Sequence, residues 1–215
     1  MAYRRTPAVQ ARLDAQAGSI VRAAMTVLSR DGFSGLSMAA VAAEAGVATG
    51  TVYKSFSGKS ELVAAVFREV VTREVAAVAE AGEAAGSARL ARERVTAAVE
   101  TFAGRALKNP KLAYVLLAEP VDTAVDAERL RFRRAFAETF EAAVAEGVAT
   151  GQLPPQDPRT SATALVGAIG EVLVGPLAEE LESESVMPEL VAFALRALGV
   201  PQDHQGRPQE PQGQE

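Results

Sequence analysis

The side chains best suited to chemistry lie between Ser37 and Leu62, in the run SMAAVAAEAGVATGTVYKSFSGKSEL. Thr49, Thr51, Tyr53, Lys54 and Ser55 crowd hydroxyls and an ammonium into one short stretch, with Gly50 among them. Near the start of a helix such groups can donate to phosphate oxygens and base edges when that helix enters a major groove. A glycine beside them lets the backbone approach a neighbouring surface. Lys59 places a cation in the first turn of the helix that follows, where the helix dipole disfavours it by roughly a few tenths of a kcal/mol. A phosphate at that helix start would account for the placement. The plainer alternative for each of these residues, taken singly, is a solvated polar face.

These groups need a frame to hold them. Two short helices joined through Gly46 fit a helix-turn-helix, whose tight turn calls for a glycine at positive φ. Ser37 is suited to cap the first, Met38 to Ala45, and the second runs from about Thr49 to Phe56. Ala42 is small enough for a close crossing, and Val41, Val47 and Val52 supply the apolar contacts. Upstream, Thr6-Pro7 starts a helix in which Leu13, Ala17, Ile20, Val21, Ala24 and Leu28 recur at spacings of three and four, ending at Asp31-Gly32. Downstream, Ser57 caps a longer helix to about Ala81.

The spacing of Ile20, Ala23, Ala24, Val27 and Gly32, followed by Gly46, Val47, Gly50, Thr51, Val52, Tyr53, Phe56, Lys59 and Leu62, resembles the signature of the TetR family of bacterial transcriptional regulators. The likeness covers about residues 16–66. It implies an all-α fold of about nine helices. A three-helix helix-turn-helix DNA-binding domain would span 1–60, with a flexible basic arm at 1–6. A helical bundle for effector binding and dimerisation would span 61–199, helix 61–81 connecting the two. Carried over by position, Tyr53 and Lys59 would grip phosphates, Thr49, Gly50, Thr51, Lys54 and Ser55 would face the groove, and Ser37 would cap its helix beside a phosphate. Val52 and Phe56 match core positions. Two departures stand out: Ala48 replaces the family's frequent serine cap unless Thr49 substitutes for it, and Ser55 stands where histidine is common. Arg4 and Arg5 either reach a minor groove from the arm or form a solvated terminus.

Charge is divided in the same way. Residues 1–60 hold seven Lys/Arg against three Asp/Glu (+4), and 61–215 hold 15 against 24 (−9), within a net −5. A basic head facing a polyanion and an acidic remainder with another task fit this split. The chain has no cysteine, which excludes disulfides, thiolate metal sites and a Cys nucleophile and fits a reducing cytoplasm. Its one histidine, His204, lies in a Gln/Pro/Gly tail at 200–215 that is expected to be disordered, so most His-based triads and His-rich metal sites are excluded too. No cofactor is expected. The first 20 residues lack the apolar stretch of a secretory signal.

Beyond Gly82 and Gly86, helices are expected at about 87–106, 110–118, 123–149, 158–178 and 185–198, with GQLPPQDP as a loop and 179–184 as an acidic link. Thr160 to Ala178 carries one charge, Glu171, and reads as a helix buried between others rather than a membrane span. The resemblance implies a homodimer through the last two helices and hence a palindromic operator. Phe102, Tyr114, Leu117, Phe136 and Phe140, with Glu171 as a polar handle, either line a small-molecule effector pocket or pack as plain core and a salt bridge. Arg129, Arg131, Arg133 and Arg134 form a basic cluster, with Arg134 and Glu138 spaced for an i,i+4 pair. A ligand-responsive repressor is therefore the leading expectation. A carboxylate-based helical enzyme and a helical protein–protein adaptor are the alternatives.

Overall fold

A computed structural model describes residues 6–84, 91–119, 123–179 and 186–200. Among these residues the chain forms nine helices and no strand: α1 Pro7–Gly35, α2 Met38–Glu44, α3 Thr49–Ser55, α4 Lys59–Ala84, α5 Ala91–Lys108, α6 Pro110–Leu117, α7 Thr123–Ala149, α8 Pro158–Glu179 and α9 Val186–Ala197. Arg4, Arg5, most of the acidic link and the tail with His204 lie outside the described residues.

Local chemistry explains most of the boundaries. Pro7 opens α1, and Gly32 at φ 67° kinks it where the sequence placed its end, leaving one further turn to Gly35. The Ser37 hydroxyl accepts from the Ala40 N–H at 3.0 Å and starts α2. Gly46, at φ 66°, makes the turn, with its own N–H and that of Val47 donating to Ala43 and Ala42. At α4 the roles differ from the expected Ser57 cap. Ser57 donates both its N–H and its hydroxyl to the Glu61 carboxylate at 2.7 Å, which ties the loop to the first turn. Asp157 caps α8 by accepting from the Thr160 N–H at 2.8 Å, and the Thr160 hydroxyl together with that N–H holds its carboxyl below the usual range.

Two apolar cores result. The first gathers Ile20, Val27 and Leu28 of α1, Val41 of α2, Val52 of α3, and Leu62, Val66 and Phe67 of α4. It continues into Leu112, Val115 and Leu116 of α6, so packing is unbroken across residue 60. The second core fills the body with Val95 and Val99, Phe132, Phe136 and Phe140, Leu165, Ile169 and Leu173, and Leu190. Arg129 of α7 joins the two. Its guanidinium donates to the carbonyls of Val115, Leu116 and Glu119 at the end of α6 and lies 5.9 Å from the Phe67 ring. These carbonyls have no helical partner of their own, so one cation serves a whole helix terminus.

Two expectations are corrected. No ion pair joins Arg134 to Glu138; the arginines of α7 instead pair toward its N-terminus, Arg129 with Asp126 at 3.2 Å and Arg131 with Glu128 at 2.8 Å. Glu128 also receives Arg68 of α4 at 2.9 Å. Nor is α8 buried on all sides. Although long and apolar enough to cross a membrane, its apolar window is 33% buried. Ala162, Leu165, Ile169, Leu173 and Leu177 face the core, while Thr163, Ala164, Gly167, Glu171, Val172 and Gly175 are open.

Candidate functional site

The polar face of α3 is built from its buried one. Val52 is fully buried and Phe56, just past the helix, nearly so; both sit in the first core. A seven-residue helix anchored on that side must present Thr49, Gly50, Tyr53 and Lys54 outward, and all four are exposed, Tyr53 to 55%. Thr51 and Ser55 are half-buried at the edge, the Ser55 hydroxyl pointing at the Thr51 carbonyl 3.5 Å away. A Cβ on Gly50 would meet open space, so nothing inside the chain demands glycine there. Ala48 opens α3 in an extended conformation without a side-chain cap, and Thr49 does not replace the missing one. Ser37, exposed at the start of α2, is committed to its cap.

Lys59 has an internal partner that the sequence did not reveal. Its ammonium donates to the Phe33 carbonyl at 2.8 Å and lies 3.7 Å from the Phe33 ring centroid. Burial pushes its pKa down against the opposing pull of Glu119. The contact closes the last turn of α1, where a cation is electrostatically welcome, and this explains its place in the first turn of α4. Arg30 likewise ties α1 to α2, bridging Asp31 and Glu44 at 2.9 and 3.0 Å.

The body holds a cavity of about 70 Å³ between α4, α5, α6 and α7, walled by Val70, Phe102, Leu112, Leu116, Leu117 and Phe132, with Arg73, Glu74, Arg105 and Asn109 along one side. A second space, about 180 Å³, shares Phe102, Leu117 and Phe132 and extends to Arg133 and Glu171. Of the residues nominated from sequence, Phe102, Leu117 and Glu171 thus line cavities, Glu171 from an exposed position. Phe136 is buried behind them, its ring 4.7 Å from Phe102 and 4.6 Å from Phe132. Phe140 lies against a separate space with Val78 and Val95. Tyr114 packs half-buried on the body core and walls neither Phe102 cavity. Phe132, absent from the nominated set, is one stripe position before Phe136. Glu74 sits between Arg73 and Arg105; burial opposes its ionisation, and the hydrogen bonds and charges of the two guanidiniums outweigh that, holding its carboxyl below the usual range.

Residues 20–66 match the family described as "Bacterial regulatory proteins, tetR family", and residues 88–173 match "Tetracyclin repressor-like, C-terminal domain". Among curated proteins none matches the chain. Solved structures with the same fold include FadR, a fatty acid degradation regulator from Bacillus halodurans, at 20% identity and TM-score 0.70, covering 91% of this chain and 96% of that one. A putative TetR-family regulator from Rhodococcus sp. is 24% identical with TM-score 0.71, covering 86% and 99%. A TetR transcription regulator from Haloarcula marismortui is 18% identical with TM-score 0.72, covering 86% and 97%.

Proposed function

The chain belongs to the TetR family of bacterial regulatory proteins, and on that premise we propose that it is a dimeric transcriptional repressor released from a palindromic operator by a small-molecule effector. The observation that carries the DNA reading is the outward face of α3: Thr49, Gly50, Tyr53 and Lys54 exposed on a helix whose other side is locked by Val52. On a major groove, Tyr53 reaches a phosphate, Thr49, Gly50 and Lys54 meet base edges, and Thr51 and Ser55 flank them. Lys59 spends one of its three N–H donors on the Phe33 carbonyl, holding the end of α1, and keeps two for a phosphate.

The open face of α8 supports the dimer. Val172, 49% exposed, stands on the open face of α8 with Ala164, Gly167, Glu171 and Gly175, and Phe193 of α9, 39% exposed, is a second large apolar group left to solvent. A second copy covers them, and its two-fold axis sets two recognition helices about 34 Å apart on one side of the duplex. The effector occupies the Phe102–Phe132 cavity. Leu112 and Leu116 wall that cavity and also belong to the first core, so filling it displaces α6 against α1. Release then follows from the ligand's higher affinity for the displaced arrangement. The work is placed in the bacterial cytoplasm, on the chromosome.

Selection of bound duplexes from a random pool by the full chain tests this reading. Enrichment of a palindrome with half-sites one helical turn apart is expected. A pool that yields no common sequence at moderate salt, where non-specific binding is weakened, would overturn it.

A further inference from the structure

We propose that the effector is an anionic amphiphile: a compact acid group held in a groove between the DNA-binding head and the body, with an apolar chain running into the Phe102–Phe132 cavity. The inference rests on the effector reading above and names its ligand class. The groove, about 410 Å³, lies between α1, α4 and α6 and is walled by Arg22, Thr26 and Ser29 of α1, Arg73 of α4, and Asn109 just before α6, with Met25 and Leu112 as its apolar members. No carboxylate among the described residues lines it.

Its donors are unused in the direction that matters. The Arg22 side chain is exposed and makes no ion pair or hydrogen bond among the described residues. Ser29 accepts from Asn109 Nδ2 at 2.9 Å, which leaves the serine O–H and the second amide hydrogen free to donate. Arg73 engages Glu74 through Nε at 3.1 Å, leaving its terminal nitrogens. The Thr26 hydroxyl already donates to the Arg22 carbonyl at 3.2 Å and adds bulk rather than a donor. Two guanidiniums with a hydroxyl and an amide suit a carboxylate or phosphate.

Arg73, Asn109 and Leu112 belong both to this groove and to the cavity behind it. From there the walls turn apolar through Leu116, Leu117, Phe102 and Phe132, and the last three open onto the further space beside α8. A free anion would use only the first part of this path, and a neutral apolar molecule only the rest. The waist of about 70 Å³ favours an unbranched chain over fused rings. An acid group so placed touches α1 directly and takes over the Asn109–Ser29 link between body and head.

Calorimetric titration of the full chain with decanoate, decyl phosphate, decanol and inorganic phosphate tests the proposal. Both decyl anions should bind about tenfold or more tightly than decanol, as expected for charge-assisted hydrogen bonds, and inorganic phosphate should not bind. The tighter of the two anions identifies the acid group. Arg22→Gln and Arg73→Gln should each remove most of that margin and leave decanol unchanged. Phe132→Trp should weaken all three chains. Glu74→Gln, which frees Arg73, should tighten the anions. Decanol binding as tightly as decanoate, Arg22→Gln retaining full affinity, inorganic phosphate matching decyl phosphate, or no binding at all would each overturn it. A chain that enriches a palindrome yet binds no decyl compound loses only this inference. A chain that binds the anions and enriches no palindrome loses the repressor reading instead.

Discussion

Tyr53 and Lys54 are neighbours on α3, yet their side chains serve separable ends. A phenol hydroxyl on a phosphate adds affinity without sequence information, whereas an ammonium at a base edge adds both. Tyr53→Phe should therefore weaken the selected operator and random DNA by similar factors, measured by fluorescence anisotropy. Lys54→Ala should cost about 1–3 kcal/mol on the operator and relax the preference at one base pair of each half-site. A uniform loss with Lys54→Ala, together with a shallower salt dependence, would move that lysine to the backbone. Lys59 is the complementary case. With its ammonium on the Phe33 carbonyl and ring, Lys59→Gln should lower unfolding stability by about 1–2 kcal/mol and leave the salt slope of operator binding unchanged. A slope reduced by about 0.9 per subunit would show that the lysine also neutralises a phosphate on the operator.

At the scale of elements, the turn between α2 and α3 sets the presentation of the recognition face. Gly46 sits at φ 66° with open space around a notional Cβ, so Gly46→Ala tests backbone conformation alone: about 1–2 kcal/mol lost, and less for Gly46→Asn. Chemical denaturation reads this, and equal stability of all three would mean that the turn re-forms without a left-handed residue. Between α4 and α5 the link is ionic. Glu74 has a lower pKa folded than unfolded, so its contribution is present at neutral pH and is lost as pH falls through the folded value, below about 4.3. Wild type and Glu74→Gln should differ in urea midpoint at pH 7 and converge in that acid window; a constant gap would exclude the ionic origin. Such turns and caps were legible in the sequence because they rest on a residue and its near neighbours: Ser37 and Gly46 act within a few positions of themselves. Lys59 was not, because Phe33 lies 26 residues away and only the packing of α1 on α4 brings them together. Phe132, Phe136 and Phe140 share one stripe of α7, so periodicity marks all three as inward. Which ring borders empty space is decided by how α5 and α6 cross that stripe.

For the whole molecule, the helix that misled most is also the most informative. α8 is apolar nearly all round, so its pattern cannot say which face meets the chain's own core and which waits for another surface. The packed row from Ala162 to Leu177 settles the first. The second is left with Val172 exposed beside small residues and, on α9, with Phe193 exposed as well. The charge distribution fits the same orientation, a head at +4 toward the duplex and a remainder at −9 that DNA repels. If that face pairs two copies, a further carboxylate beside the Glu171 already on it must be buried against like charge, at a cost of several kcal/mol to the dimer and little to the fold, since both positions are exposed in the single chain. Val172→Glu and Phe193→Glu should therefore sediment as monomers at concentrations where the wild type is dimeric, with unfolding midpoints set by the monomer. Each monomer keeps its α3 face intact, so binding to a single half-site should survive while the extra affinity for the full palindrome, which comes from joining two heads, disappears. Variants that stay dimeric with an unaltered preference for the full palindrome would place the dimer contact elsewhere.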